Sequence, residues 1–363
     1  MRGVTFLGER KLELAEFPDP APGPHDVIVE IKASGMCGSD LKFYRATGAT
    51  SALGLGKADG PVVAGHEPCG VVAAIGAAVE EPAARIGTRV MVHHYSGCGA
   101  CLHCQAGWSQ MCVDGSIVYG VTGHGAHAPY MKVPAHTLVP LPAELSFATG
   151  AAISCGTGTA YQALRRMNLS EGDTIAIVGQ GPVGLSATQL AAAMGARVVA
   201  AASTEAKLAL AREHGADETV QYPAVALDKA AARTLTDHLK SVCGANGAQV
   251  IFDPVGGDYT EAALRAIGWQ GRHLVVGFTA GIPKLPLNLT LLKSCQIIGV
   301  FWGEFTARQP RQHAANVAAL MALYLGGRIK PAVTERFPLQ RGMDAIARLG
   351  ARDARGKVVV MIE

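Results

Sequence analysis

Five residues of strand-forming character, Thr174 to Val178, run directly into Gly179-Gln-Gly181-Pro182-Val183-Gly184 and from there into an Ala/Leu-rich stretch ending at Met194. No other feature restricts the fold of this chain so tightly. A lone GxGxxG is weak evidence, but strand before and helix after give it physical meaning: glycines allow the tight turn and a close approach of pyrophosphate, which then rests on the positive end of the helix. The motif predicts a dinucleotide-binding α/β sheet. A second strand, Arg197 to Ala201, follows, and an acidic residue at its end would bind the ribose hydroxyls of NAD. Instead Ala202, Ser203 and Thr204 hold that end, with Lys207 a helical turn on, so hydroxyls and a cation are offered to a 2'-phosphate. Glu205 is a nearby carboxylate and counts the other way. The pattern favours NADP over NAD.

The same alternation of strand and helix continues through Lys207 to His214, Ala248 to Asp253, Tyr259 to Gly268, Arg272 to Gly277 and Gln296 to Phe301, which predicts a parallel, doubly wound sheet over 157–301. Residues 223–235 read as a helix. Residues 1–156 have another texture, with short apolar strands such as Asp26 to Ala33 and Gly70 to Ile75 between Pro/Gly-rich turns (PDPAPGPHD, LGLGKADGP), and predict an irregular β domain opened by one strand at the N-terminus. A helix, His313 to Leu325, and a strand, Lys357 to Ile362, lie in 302–363. At 363 residues, 49% hydrophobic and 17% charged, the chain has core enough for two domains. A net charge of +3 and 6% aromatic residues give nucleic-acid binding little support, so a small molecule is the expected partner. The N-terminus lacks a signal-peptide pattern and no apolar run would span a bilayer.

Nine cysteines, an odd number unevenly placed, suit reduced thiols binding metal in the cytoplasm better than a disulfide framework. Four are packed as Cys98-x2-Cys101-x2-Cys104-x7-Cys112, in a lobe spanning about 94–113. Tetrahedral zinc is satisfied by four thiolates, and such a closed shell leaves no place for substrate. Chemistry must then lie elsewhere. Cys37 in SGMCGSDL, His66 and Glu67 in AGHEPCG, and Cys155 in ISCGTGTAY are the remaining donors of interest. Singly, a histidine is more often a core residue and a free cysteine a small hydrophobe.

Together, CGSD at 37–40, GHE at 65–67, the four-cysteine lobe and the fingerprint at 179–184 resemble the zinc-containing alcohol dehydrogenases of the medium-chain dehydrogenase/reductase family, over essentially the whole chain. The resemblance implies a GroES-like β-rich catalytic domain joined to a Rossmann cofactor domain. It implies two zinc ions per chain, a structural one on Cys98, Cys101, Cys104 and Cys112 and a catalytic one on Cys37, His66 and Cys155, with Glu67 as a transient ligand or its neighbour. A Cys2His set with a free fourth position is the arrangement by which zinc acidifies an alcohol or polarises a carbonyl before hydride transfer. Asp40 would orient His66, Ser39 would accept the alcohol proton, and Thr159, Gly277 and Phe301 would approach the nicotinamide. The family also implies a homodimer or homotetramer, with the strand at 296–301 pairing with its mate.

Departures from the family pattern carry further expectations. Lys42 replaces a histidine that ends the proton relay in many relatives, and reads as a surface lysine. His94 stands where relatives place an apolar or aromatic pocket residue, and Trp302 suggests an apolar wall. His93 is expected on the opposite side of the strand from His94, His124 and His127 in solvated loops, and Cys69 in packing. Asp253-Pro-Val-Gly-Gly257, RHLVVGF, GVFWG and GKVVV resemble the quinone oxidoreductase branch, which adds to the NADP preference. An NADPH-dependent reductase of enones or quinones is therefore the alternative to an alcohol dehydrogenase or carbonyl reductase, and a catalytically silent binding protein a third reading.

Overall fold

The computed structural model describes residues 1–46, 60–106, 112–351 and 354–362. The turn-rich residues 53–59 and positions 107–111 of the cysteine lobe lie outside them. Two compact units form: Met1–Cys155 with Gly303–Ala315 and Val333–Glu363, and Gly156–Trp302 with Asn316–Ala332. The C-terminal segment thus contributes to both, with Asn316–Ala332 belonging to the second unit.

Among the described residues, a seven-stranded sheet carries the first unit. Its long strand Asp26–Met36 lies antiparallel to Pro68–Ile75 on one side and, further along, to Tyr130–Pro134 and Lys357–Met361 on the other. Val27, Val29 and Ile31 alternate into a core shared with Met131, Val133, Val358 and Val360. The pairing of Gly35 with Val359 and Met36 with Val358 brings the start of Lys357–Met361 beside the end of Asp26–Met36. The N-terminus is a hairpin, Arg2–Gly8 with Lys11–Glu16, and not the single strand expected. Gly8, Glu9 and Arg10 all take positive φ (76°, 50° and 62°), a left-handed corner that the alternating pattern conceals.

The second unit is an α/β layer structure. Six parallel strands run in the order Glu218–Gln221, Arg197–Ala202, Thr174–Val178, Ala248–Asp253, Ile267–Val275 and Gln296–Gly299. Thr174–Val178 is buried throughout because both faces of the sheet are covered. Truncating the fully buried Ile177 to alanine costs about 2–5 kcal/mol by transfer and cavity terms together. The chain reverses direction across the sheet between this strand and Ala248–Asp253, the switch point where doubly wound sheets bind ligands. The helix expected over 223–235 instead spans Lys229–Cys243, because the Asp228 carboxylate caps its first turn by accepting the Ala231 N–H at 2.8 Å. No helix among the described residues is long and apolar enough to cross a membrane.

Candidate metal centres and cofactor loop

Cys37 follows the strand Asp26–Met36, which delivers it to the first turn of the helix Asp40–Arg45. His66 and Glu67 precede the neighbouring strand Pro68–Ile75, and Gly65 takes φ +94° there, where a Cβ would lie 2.7 Å from His127 Nδ1. Cys155 sits in a π-turn, Ile153–Thr157, that continues the helix Phe147–Ala152, a local widening that often marks functional positions. One donor atom from each of Cys37, His66, Glu67 and Cys155 lies within 4.8 Å of the others. Sequence positions spread over more than a hundred residues thus converge on one point.

Asp40 is fully buried and braces two members of this set. One oxygen stands 3.1 Å from His66 Nδ1 and the other accepts the Cys37 N–H at 2.7 Å. The ring nitrogen that faces the cluster is therefore Nε2, which lies 3.2 Å from Ser39 Oγ. A hydrogen bond from Cys155 chiefly holds the Cys37 thiol well below its usual range against the opposing effect of burial, while the same bond pushes Cys155 up. Burial pulls His66 down, but Asp40 and Cys37 more than offset it, for a net rise. Burial raises Glu67 to about 7 despite the nearby Lys357 ammonium. The cluster gathers more negative charge than a buried site tolerates, and protons on His66 and Cys155 relieve it. A divalent cation meets the same demand, and two thiols with an oriented imidazole are donors of the type zinc takes.

The second cluster is built differently. Cys98, Cys101, Cys104 and Cys112 also offer donors within 4.8 Å of one another, but from one short segment with Cys98 exposed. Backbone amides point at the sulfurs: Cys98 N–H at Cys112 Sγ and Cys101 N–H at Cys98 Sγ, both 3.3 Å, and Cys104 N–H at Cys101 Sγ, 3.5 Å. Backbone amides of Cys104 and Val113 lower the Cys101 thiol to about 6. These amides favour negative charge on Cys101, while Cys98 and Cys104 are held above the usual thiol range, and four such donors fit one tetrahedral ion completely.

Around the first cluster lie residues whose surroundings differ from expectation. The strand Arg89–Val92 ends before His93, and the bend that follows puts the rings of His93 and His94 6.0 Å apart, not on opposite faces. The His94 ring is buried 4.9 Å from that of His66, and His93 stacks 4.7 Å from His313. His127 is fully buried and so is not a solvated loop residue, whereas His124 is exposed in its loop as expected, its Nδ1 accepting the Val63 N–H at 3.1 Å. Lys42 is exposed, and Cys69 is fully buried with its thiol pushed up by burial. Lys357, whose ammonium pairs with the Glu67 carboxylate, was not legible as a site residue. A lysine opening a C-terminal strand carries no local mark, and only the sheet register brings it here.

In the second unit, Gly179 takes φ +90° and a Cβ on Gly184 would overlap the Gly179 carbonyl oxygen, so the turn requires both glycines. Gly181 caps the helix Pro182–Ala193, Pro182 is its first residue, and Val183 follows. Ser203 follows the strand Arg197–Ala202, Thr204 caps the next helix and Lys207 is buried in its first turn. The carboxylate of Glu205 is held by Arg212 at 2.6 Å. Gly277 donates to the Asp253 carbonyl at 3.3 Å, Thr159 opens the helix Gly158–Arg166, and Phe301 is exposed. Trp302 is buried over Gly158, where a Cβ would meet its ring at 3.2 Å.

Residues 23–143 match the family model described as alcohol dehydrogenase GroES-like domain, and residues 182–321 match the one described as zinc-binding dehydrogenase. The zinc-type alcohol dehydrogenase-like protein YphC of Escherichia coli is 31% identical over 372 residues, covering 99% of this chain and 98% of that protein. Among solved structures, an NAD-dependent alcohol dehydrogenase superposes with a TM-score of 0.83 at 28% identity, covering 100% of both chains. A zinc-binding dehydrogenase of Sinorhizobium meliloti 1021 bound to NADP superposes with a TM-score of 0.80 at 25% identity, covering 99% of this chain and 98% of that one.

Proposed function

The chain belongs to the zinc-containing alcohol dehydrogenases of the medium-chain dehydrogenase/reductase family and is a zinc-dependent oxidoreductase acting on alcohols; from that premise we propose which of its residues carry the reaction and which cofactor it takes. The convergence of Cys37, His66 and Cys155, with Asp40 bracing His66, carries the site assignment. These three hold the catalytic zinc, and Cys98, Cys101, Cys104 and Cys112 hold a second, structural one. When bound, zinc supplies Lewis acidity toward an alcohol or carbonyl oxygen and the nicotinamide exchanges hydride. Asp40 keeps the proton of His66 on Nδ1, leaving Nε2 as donor. Ser39 Oγ, beside that nitrogen, takes the alcohol proton or returns it to a carbonyl. His94, against His66, contributes a polar wall to the substrate pocket.

NADP is the preferred cofactor in this reading. The strand Arg197–Ala202 ends without a carboxylate, and the nearby one, Glu205, is engaged by Arg212, so Ser203, Thr204 and Lys207 meet a 2'-phosphate without a free opposing charge. Comparing kcat/KM with NAD and NADP for Ala202→Asp tests this, since an acid at that position repels the 2'-phosphate. A ratio shifted toward NAD by about tenfold supports the preference, and an unchanged ratio contradicts it. The edge strand Gln296–Gly299, with exposed Leu291 and Leu292 on the preceding helix, makes a homodimer or homotetramer the expected assembly. Nine cysteines with no disulfide among them fit the reducing cytoplasm.

A further inference from the structure

We propose that Lys357 is a positioning residue that holds the Glu67 carboxylate away from the catalytic metal, so that the fourth coordination position stays available to substrate. Glu67 presents a donor atom within 4.8 Å of those of Cys37, His66 and Cys155. With it the set numbers four, enough to close a tetrahedral shell as completely as the four cysteines close theirs. An alcohol dehydrogenase needs that shell open. The structure places a counter-ion where it prevents closure: the Lys357 ammonium pairs with Glu67 Oε2, with the two side chains 7% and 0% exposed. Beyond that pair, neither oxygen of Glu67 has a hydrogen-bond partner among the described residues. Asp40, the other carboxylate nearby, is already engaged by His66 and the Cys37 N–H.

The ion pair has a built seat. Gly35 donates its N–H to the Glu67 carbonyl at 3.0 Å, and any Cβ at Gly35 would overlap Glu67 Oε2 and stand 2.9 Å from Lys357 Cε. The same register that pairs Gly35 with Val359 delivers Lys357 to this spot. Charge accounts for the choice of residue. Two thiolates neutralise a divalent ion, Glu67 is the surplus anion, and a buried carboxylate takes whichever cation is offered. Without the lysine, that cation is the metal.

This inference rests on the metal site proposed above, and cobalt(II) substituted there reads both. Release of cobalt to a pyridine dicarboxylate chelator and the response of its visible spectrum to azide are measured for the holoenzyme and for Cys37→Ser, Lys357→Met, Glu67→Gln and Lys357→Arg. Only one of the two charge removals should change the metal's ligands. Lys357→Met should slow release by about tenfold and silence the azide response as the carboxylate becomes a ligand, while Glu67→Gln should leave release and response like the parent's, because that carboxylate is already held off the metal. Lys357→Arg should restore the parent spectrum. Faster release from Lys357→Met, or an azide response like the parent's, overturns the proposal. Should Lys357→Met fail to fold, faster release from Glu67→Gln than from the parent, the mark of a carboxylate that already ligates the metal, overturns it alone. Cobalt loss that is indifferent to Cys37→Ser would instead bring down the metal site itself, and this proposal with it.

Discussion

Two clusters of potential metal ligands stand in one unit of this molecule, and they are assembled in opposite ways. The lobe at Cys98 to Cys112 draws every donor from one short, partly exposed segment and turns its own backbone amides on its sulfurs. The site at Cys37, His66 and Cys155 draws donors from three distant segments and stabilises them with buried side chains, Asp40 on one flank and Lys357 beside Glu67 on the other. A local, self-sufficient cluster can hold structure and do nothing else. A site assembled by the fold can be left incomplete on purpose, and incompleteness is what catalysis at a metal needs.

The sharpest way to break this contrast is to remove one ligand from each. Cys37→Ser should reduce alcohol oxidation below detection with NAD or NADP while leaving the melting temperature within a few degrees; Cys101→Ser should lower stability by several kcal/mol, since structural zinc contributes directly to folding. Thermal melts and turnover of the two proteins that change together would erase the division. Asp40→Asn comes next. Loss of the carboxylate behind His66 should cost about 10–100-fold in metal affinity or turnover.

Acid should separate the regions more gently. His127, buried beside the first cluster, is held neutral in the folded chain, its value lowered by burial from 6.5 to about 4. The unfolded chain takes up that proton first, so the folded state loses stability as pH falls from about 6.5 through about 4, a contribution of a few kcal/mol. Urea unfolding of His127→Gln at pH 7 and pH 4.5 should show a flatter pH dependence than the parent, and an equal slope would count against it. The smallest effect concerns reactivity after metal removal. Cys101, poised at about 6 and only partly buried, should alkylate with iodoacetamide at pH 7 faster than buried Cys37, as mass mapping of the chelated protein would show.

How far the sequence reaches follows the same division. The lobe was legible because its spacing is local, and the glycine turn because strand and helix flank it directly. Cys37, His66 and Cys155 became legible only through resemblance, since no periodicity links positions so far apart. Lys357 escaped altogether, because its role depends on the register of Lys357–Met361 against Asp26–Met36. Strand alternation misplaces His93 and His94 because it fails at a bend, and the glycines and alanines around His127 suggest a solvated loop where the loop position is fully buried.

Zinc content of the purified Cys37→Ser protein, measured beside its far-UV spectrum, tests the central division most directly. A folded chain that keeps one zinc per subunit and loses the second, against two in the parent, is the result expected. Two zinc ions retained, or both lost with the fold, would contradict the separation of a closed structural site from an open catalytic one.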